Sequence, residues 1–520
     1  MQTRLFKEIR LLLPAWLITV LLTFSPALFK GMGSDWAVLF LAIGSAVMVA
    51  CSFGPEFSYG TLVPLLAQPI ERRRIWFEKL SAIGVVLLPL IVAALAVYFG
   101  TMPKPTYWLL LVIPVCAVCS TPFFTFLTRN TVGAVVLSAA APFFIFLGGG
   151  ALVLWLLKTN AVAGNPSLEE AIDEGKLHRY LFWYFGVVLP LYCGVLYGAG
   201  YRSFLRLEVA NMVDRQIRLG TFLHLGFERL LGGIFPGKRR CLALLLGKEL
   251  RLHQHTLTLF VIFTAIQIAA VAFILVAKPI SHESYFILPL MIYAILVPLA
   301  VGASAFAEEE KIGIRALQLT VPLSLRAQWF VKIAVAFSIV ALLGSGVTWA
   351  WVLIAKHIGP LRIPPQEFLT PESVPAIFLY QVFAVSIGLY TSSLSRDTLR
   401  AILAAVGCMV GLSLIVAVIG FVTTWIAQLS HNPLRSLAAL LDQNTRLKLI
   451  NRVQDSMPWL VGIGWGLLPA IASFWNFRTV DRSPQRVWSN AFGTFVPAVL
   501  LSFFLVNIER TLWLVYTFGK

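Results

Sequence analysis

The sequence predicts an all-α polytopic membrane protein of two parallel six-helix repeats, with about twelve transmembrane helices and a thirteenth at the C-terminal side. Three observations lead there. The 520 residues are 58% hydrophobic and only 12% charged, with a mean hydropathy of +0.83, whereas a soluble domain is about a quarter charged. The apolar residues are gathered into long blocks, many of them beyond the roughly 18 residues that cross a hydrocarbon core as a helix. A set of residues that follows the second block returns, in register, in the second half of the chain.

In chain order the blocks fall at 12–29, 36–53, 82–99, 107–127, 131–157 and 181–200. They resume at 257–277, 285–305, 333–355, 376–394, 401–428 and 459–477, and a last one lies at 488–507. Lipid offers the backbone no hydrogen-bond partner, so each block must satisfy its own amides as a helix. The alternating segments of about ten residues that a membrane β-barrel needs are not what these runs show. Before the first block, Leu5, Phe6, Ile9 and Leu13 oppose Arg4, Lys7 and Glu8, the pattern of a helix lying on a membrane surface. No convincing small-residue cleavage site follows, so the first block reads as a retained helix. The predicted organisation is a first half at 1–201, a basic interfacial linker at 202–247, a second half at 248–487 and an extra helix at 488–520.

The net charge of +17 would suggest nucleic acid in a soluble protein. Here nearly all of the excess falls on one side if the N-terminus is cytoplasmic, which is the Lys/Arg asymmetry of an oriented membrane protein. The expected location is the inner (cytoplasmic) membrane, with the lipid bilayer rather than nucleic acid as partner. One segment dissents: 429–458, placed outside, carries Arg435, Arg446, Lys448 and Arg452. Among the six cysteines, Cys116 and Cys119 form a CxxC inside an apolar helix with no second ligand pair, and read as packing. His253 and His255 lack a neighbouring acid or cysteine set, and no nucleophile–base spacing stands out. Catalytic, cofactor and metal residues are not expected in this chain.

The repeat is the most informative motif. Glu56, Gly60, Pro69, Arg73, Trp76, Phe77 and Lys79 return as Glu309, Gly313, Pro322, Arg326, Trp329, Phe330 and Lys332, each 253 positions on. Lys7–Glu8–Ile9–Arg10 likewise resembles Lys248–Glu249–Leu250–Arg251, and Ser203–Phe204 echoes Ser473–Phe474. In each half Glu56 or Glu309 ends a block, a glycine permits a turn, and Pro69 or Pro322 resets the direction. Arg73, Trp76 and Lys79 suit a membrane surface, as do Arg326, Trp329 and Lys332; with Lys7 and Arg10 these read as interfacial anchors. The predicted object is a short cytoplasmic elbow between two helices. Surface anchoring needs these residue types but not their register, so the preserved spacing points to mechanical transmission.

These motifs resemble the type-2 membrane permeases of ATP-binding-cassette exporters, with two half-permeases fused in one chain. The resemblance implies that 60–72 and 313–325 are coupling helices gripped by a cytosolic ATPase, two copies per chain, with Glu56, Gly60, Pro69, Arg73, Glu309, Gly313, Pro322 and Arg326 at the contact. It implies that substrate moves between two helical halves and that ATP and magnesium reside in the partner. The chain has no motor of its own: Gly232 to Arg239 approaches a phosphate-binding loop, but Arg239 stands where Ser or Thr is needed. A secondary transporter not coupled to ATP is the alternative, and a membrane-embedded lipid or glycan-modifying enzyme a further one. Gly149, within a Gly148–Gly150 run, and Pro190 and Pro469 are candidate hinges.

Overall fold

The computed structural model describes residues 2–28, 35–58, 70–98, 104–129, 131–142, 174–206, 240–277, 283–312, 324–357, 373–395, 397–412 and 466–478, with 145, 489, 493 and 496 singly. All the regular structure among them is helical. In order these are α1 (Gln2–Leu28), α2 (Asp35–Ser58), α3 (Arg72–Tyr98), α4 (Lys104–Thr128), α5 (Thr131–Pro142), α6 (Glu174–Leu205) and α7 (Arg240–Leu252). After them come α8 (Gln254–Ala277), α9 (Glu283–Ile312), α10, α11 (Ser373–Leu394), α12 (Thr398–Leu412) and α13 (466–478). Helix α10 runs Leu325–Ile339, widens into a π-turn at Val340–Gly346, and continues as Val347–His357. The chain divides into two compact units. The first holds α1–α6, α8 from Leu257 and α9 as far as Leu290; the second holds α7, the rest of α9, α10 to Ile354, and α11–α13.

Among the described residues, seven helices are long and apolar enough to cross a membrane: Leu5–Ala27, Trp36–Phe57, Arg72–Tyr98, Leu109–Thr128, Pro289–Glu310, Leu325–Ile354 and Ile377–Leu394. This corrects the expectation of twelve crossings and a thirteenth in two six-helix repeats. Three further apolar stretches, Thr131–Pro142, Thr256–Ala272 and Thr398–Leu412, have 10–17 residues among the described ones, below the roughly 18 that a crossing needs; the second lies within the 24-residue α8. Helix α6 has 32 residues and covers the block at 181–200, but is not among the seven. The blocks at 143–157, 413–428 and 488–507 lie outside the described residues, apart from the single positions given above.

In the first unit α2 is the covered helix. Ala37, Leu41, Ser45, Met48, Val49, Ser52 and Phe53 are buried along it, a spacing of three and four residues that α1 and α4 cover. Gly44 sets the approach of α1: a Cβ there would lie 2.1 Å from Thr19 Cγ2, so any side chain would force the helices apart. Helix α3 is two-faced. Ile75, Trp76, Lys79, Ile83, Leu87, Leu90 and Ala94 are buried, while Phe77, Val85, Leu88 and Val92 are exposed, as a helix beside lipid requires. Tyr98 ties its far end to α1 by donating to Thr23 O at 2.6 Å.

In the second unit α9 and α11 cross backbone to backbone. A Cβ on Gly302 would meet Val385 O at 2.4 Å, and one on Gly388 would meet Gly302 Cα at 2.9 Å. Such close approach by small residues is how helices associate where lipid removes the hydrophobic drive. Leu299, Ala384, Ile387, Ala405 and Leu412 form a core of α9, α11 and α12. Asn476 Nδ2 donates to Ser393 Oγ at 3.0 Å, tying α13 to α11.

Candidate functional site: two lysine clasps

Each unit carries a buried lysine that draws several helices together at one end of its bundle. In the first, Lys79 sits two turns into α3, on the face that carries Trp76 and Ile83, and is 2% exposed. Its Nζ lies 2.8 Å from Glu56 Oε1 at the end of α2 and 3.1 Å from Glu8 Oε1 near the start of α1. It also donates to Ser52 O at 2.6 Å and stands 5.5 Å over the Phe53 ring. Three helices thus meet on one ammonium group.

In the second unit Lys332 of α10 does the same and is 1% exposed. It donates to Glu249 of α7 at 2.9 and 3.1 Å, to Glu309 near the end of α9, and to Ala305 O at 3.4 Å, with its Nζ 5.5 Å from the Phe306 ring centroid. Lys248 Nζ adds a 2.6 Å bond to Glu309 Oε1. Residues 52, 53, 56 and 79 correspond to 305, 306, 309 and 332 at the repeat offset, and Glu8 corresponds to Glu249 in the matching Lys-Glu-x-Arg starts. The two clasps are one design built twice. Burying charge costs several kcal/mol per ion unless partners and hydrogen bonds restore it, and each lysine has two carboxylates and a carbonyl. Burial pushes the Glu249 carboxyl above the usual carboxylate range, against the pull of Lys332.

An aromatic cluster backs each clasp. Trp76 is fully buried, donates from Nε1 to Tyr197 OH at 3.2 Å, and packs 5.4 Å from Phe204 and 5.2 Å from Phe53. Trp329 donates to Ser473 Oγ at 3.2 Å and packs 5.2 Å from Phe474. The echo of Ser203–Phe204 in Ser473–Phe474 therefore has a spatial meaning: in each unit the last of these helices seats the elbow tryptophan. Arg73 Nε donates to Tyr201 OH at 2.7 Å, while Arg326 is exposed.

Other sequence-predicted residues fall as follows. Lys79 and Lys332, read as interfacial anchors, are interior; Lys7 and Arg10 are exposed on α1. Pro190 is exposed within α6 and Pro469 is buried in α13. Gly60, Pro69, Gly313, Pro322 and Gly149 lie outside the described residues, as do most of the segments 60–72 and 313–325. Glu8 and Glu249 were missed as site residues, although an acid at a matched place in both starts, opposite a lone lysine after each elbow, was a readable signal. The π-turn of α10 was also missed: Tyr293 OH donates to Leu343 O at 2.8 Å and Ser345 Oγ to Gln381 Oε1. Its widening depends on tertiary partners that no local pattern announces. The CxxC thiols on α4 face α6, with Cys193 Sγ 3.4 Å from Cys116 Sγ.

The chain matches no family model, no curated protein and no solved structure. Its own geometry therefore sets its class. It is a multi-pass, all-α membrane protein with several long apolar spans, consistent with a general membrane permease.

Proposed function

We propose that the chain is the transmembrane permease subunit of an ATP-driven exporter, moved by a separate cytosolic ATPase of the ATP-binding-cassette type. Two ATPase copies would bind one chain, each at one elbow, and ATP and magnesium would be held by them rather than by this subunit. The N-terminus would be cytoplasmic and the membrane the inner one. The observation that carries this reading is the repeated clasp. Glu56 and Lys79 bracket the first elbow and are ion-paired across it, as Glu309 and Lys332 are across the second.

The mechanical argument is direct. A force on a loop is wasted if the two helices it joins can splay. Here the helix before each elbow and the helix after it share one buried ammonium group, and a third helix joins them through Glu8 or Glu249. Displacement of the elbow would then move three helices as a body, which is how a small shift at a contact becomes a rigid-body transition.

The test is co-purification of the full chain with its ATPase, followed by ATP hydrolysis in lipid. Altering both elbows together should abolish capture and leave the chain inserted. Transport by the purified chain with no ATPase present would defeat the proposal. The secondary-transporter reading draws on one observation, the buried Gln381 amide, whose Nε2 has no hydrogen-bond partner among the described residues. Transport that collapses with an ion gradient, and is indifferent to ATP, would favour that reading.

A further inference from the structure

We propose that the first unit binds the headgroup of an anionic glycerophospholipid where α3 begins and α6 ends, in the leaflet nearest the first elbow. Five arginines converge there: Arg72, Arg73 and Arg74 on the first turn of α3, and Arg202 and Arg206 at the end of α6. Two are fixed by α6 itself. Arg72 Nη1 donates to Leu205 O at 2.5 Å, and Arg73 Nε to Tyr201 OH at 2.7 Å. Arg73, Arg74, Arg202 and Arg206 are exposed, and among the described residues the acids beside them in sequence are Glu71 and Glu78, the latter 3.2 Å from Arg74.

The charge does not belong to the shared elbow design. At the repeat offset Arg72 and Arg74 become Leu325 and Ala327. In the register that aligns Phe204 with Phe474, Arg202 and Arg206 become Ala472 and Asn476, both buried. Only Arg73 persists, as Arg326. A role common to both elbows therefore needs one arginine, and the other four call for a ligand particular to this unit.

A lipid is favoured over a free anion by what lies next along α3. Arg74, Phe77, Ser81, Gly84 and Leu88 follow one another at three- and four-residue steps, with Val85 beside them, and all are exposed. Phe77 is 55% and Leu88 66% exposed, and nothing lies within 4 Å of a Cβ built on Gly84. One helix face thus offers cations at its end and an apolar stripe with a shallow dent beyond them. A phosphodiester would be held by the guanidinium groups while an acyl chain lay along Phe77, Gly84 and Leu88. A protein partner would meet the cations alone, whereas a lipid already lying along this bilayer-facing stripe brings its headgroup to them.

The test uses the full chain in detergent without any ATPase, with bound lipids counted by native mass spectrometry during titration with phosphatidylglycerol or phosphatidylcholine. Phosphatidylglycerol should bind at least about tenfold more tightly, since each arginine near an anionic headgroup contributes appreciably. R74Q/R202Q/R206Q, which leaves the two arginines that hold α6, should erase the preference, and R74K/R202K/R206K should retain it. Equal binding of the two lipids, a preference that survives the glutamine changes or is lost with the lysine changes, or displacement of phosphatidylglycerol by an equal concentration of inorganic phosphate would each overturn the assignment.

Discussion

Lys332 has the most to lose by substitution, because every group around it is buried. Its two carboxylate partners are 0% and 1% exposed, whereas those of Lys79, Glu8 and Glu56, are 19% and 15% exposed. Water can therefore partly compensate one orphaned pair and not the other. Lys332→Met is expected to cost about 3–5 kcal/mol, the usual penalty for breaking a buried ion pair from one side, and Lys79→Met distinctly less. Thermal unfolding of the detergent-solubilised chain measures both. Adding Glu249→Gln and Glu309→Gln to Lys332→Met removes the stranded charges and should recover most of the loss. Equal, small effects for the two lysines would mean the clasps are not the tight cores described. The residue types at these sites were legible in the sequence, but their burial was not. Lysine after an elbow looks like a surface anchor until the acid that meets it, more than 70 positions away in the chain, is seen to fold beside it.

At the scale of elements, two predictions follow from close approach and from connection. Gly302→Ala places a Cβ 2.4 Å from Val385 O, which only separation of α9 and α11 relieves. The expected cost is about 1–3 kcal/mol, read by thermal unfolding, while Gly247→Ala, whose Cβ meets nothing within 4 Å, should be close to neutral or stabilising. Gly60→Pro together with Gly313→Pro should leave insertion and clasp formation intact and uncouple ATP use from transport in the reconstituted complex; equal loss of assembled protein would refute that. Several elements could be read in advance. Helices α1–α4 and α9–α11 follow long apolar runs, and α3 shows why: its buried and lipid-facing stripes are both apolar. For the same reason its core face could not be told from its outer one. The number of crossings is a different matter, since the described residues carry seven helices of crossing length and composition where the apolar blocks predict twelve and a thirteenth. Among the described residues Thr131–Pro142 contributes 12 helical residues to the block predicted at 131–157.

For the molecule as a whole, the repeat is where sequence and structure meet most closely. A 253-residue register predicted matched elbows, and the structure places a matched lysine, two acids and an aromatic pair at each. Among the described residues it gives seven candidate crossings rather than two matched sets of six. The mechanical account makes a claim of stoichiometry: two elbows, two ATPase copies. The most direct measurement is native mass spectrometry of the affinity-purified chain from its own membranes, with magnesium-dependent ATP hydrolysis measured on the same sample. The account predicts an ATP-hydrolysing complex of one chain with two ATPase copies. Altering Glu56 and Arg73 should leave one copy, and altering Glu309 and Arg326 as well should leave none. A chain that carries no ATPase, yet transports in vesicles without ATP, would contradict it.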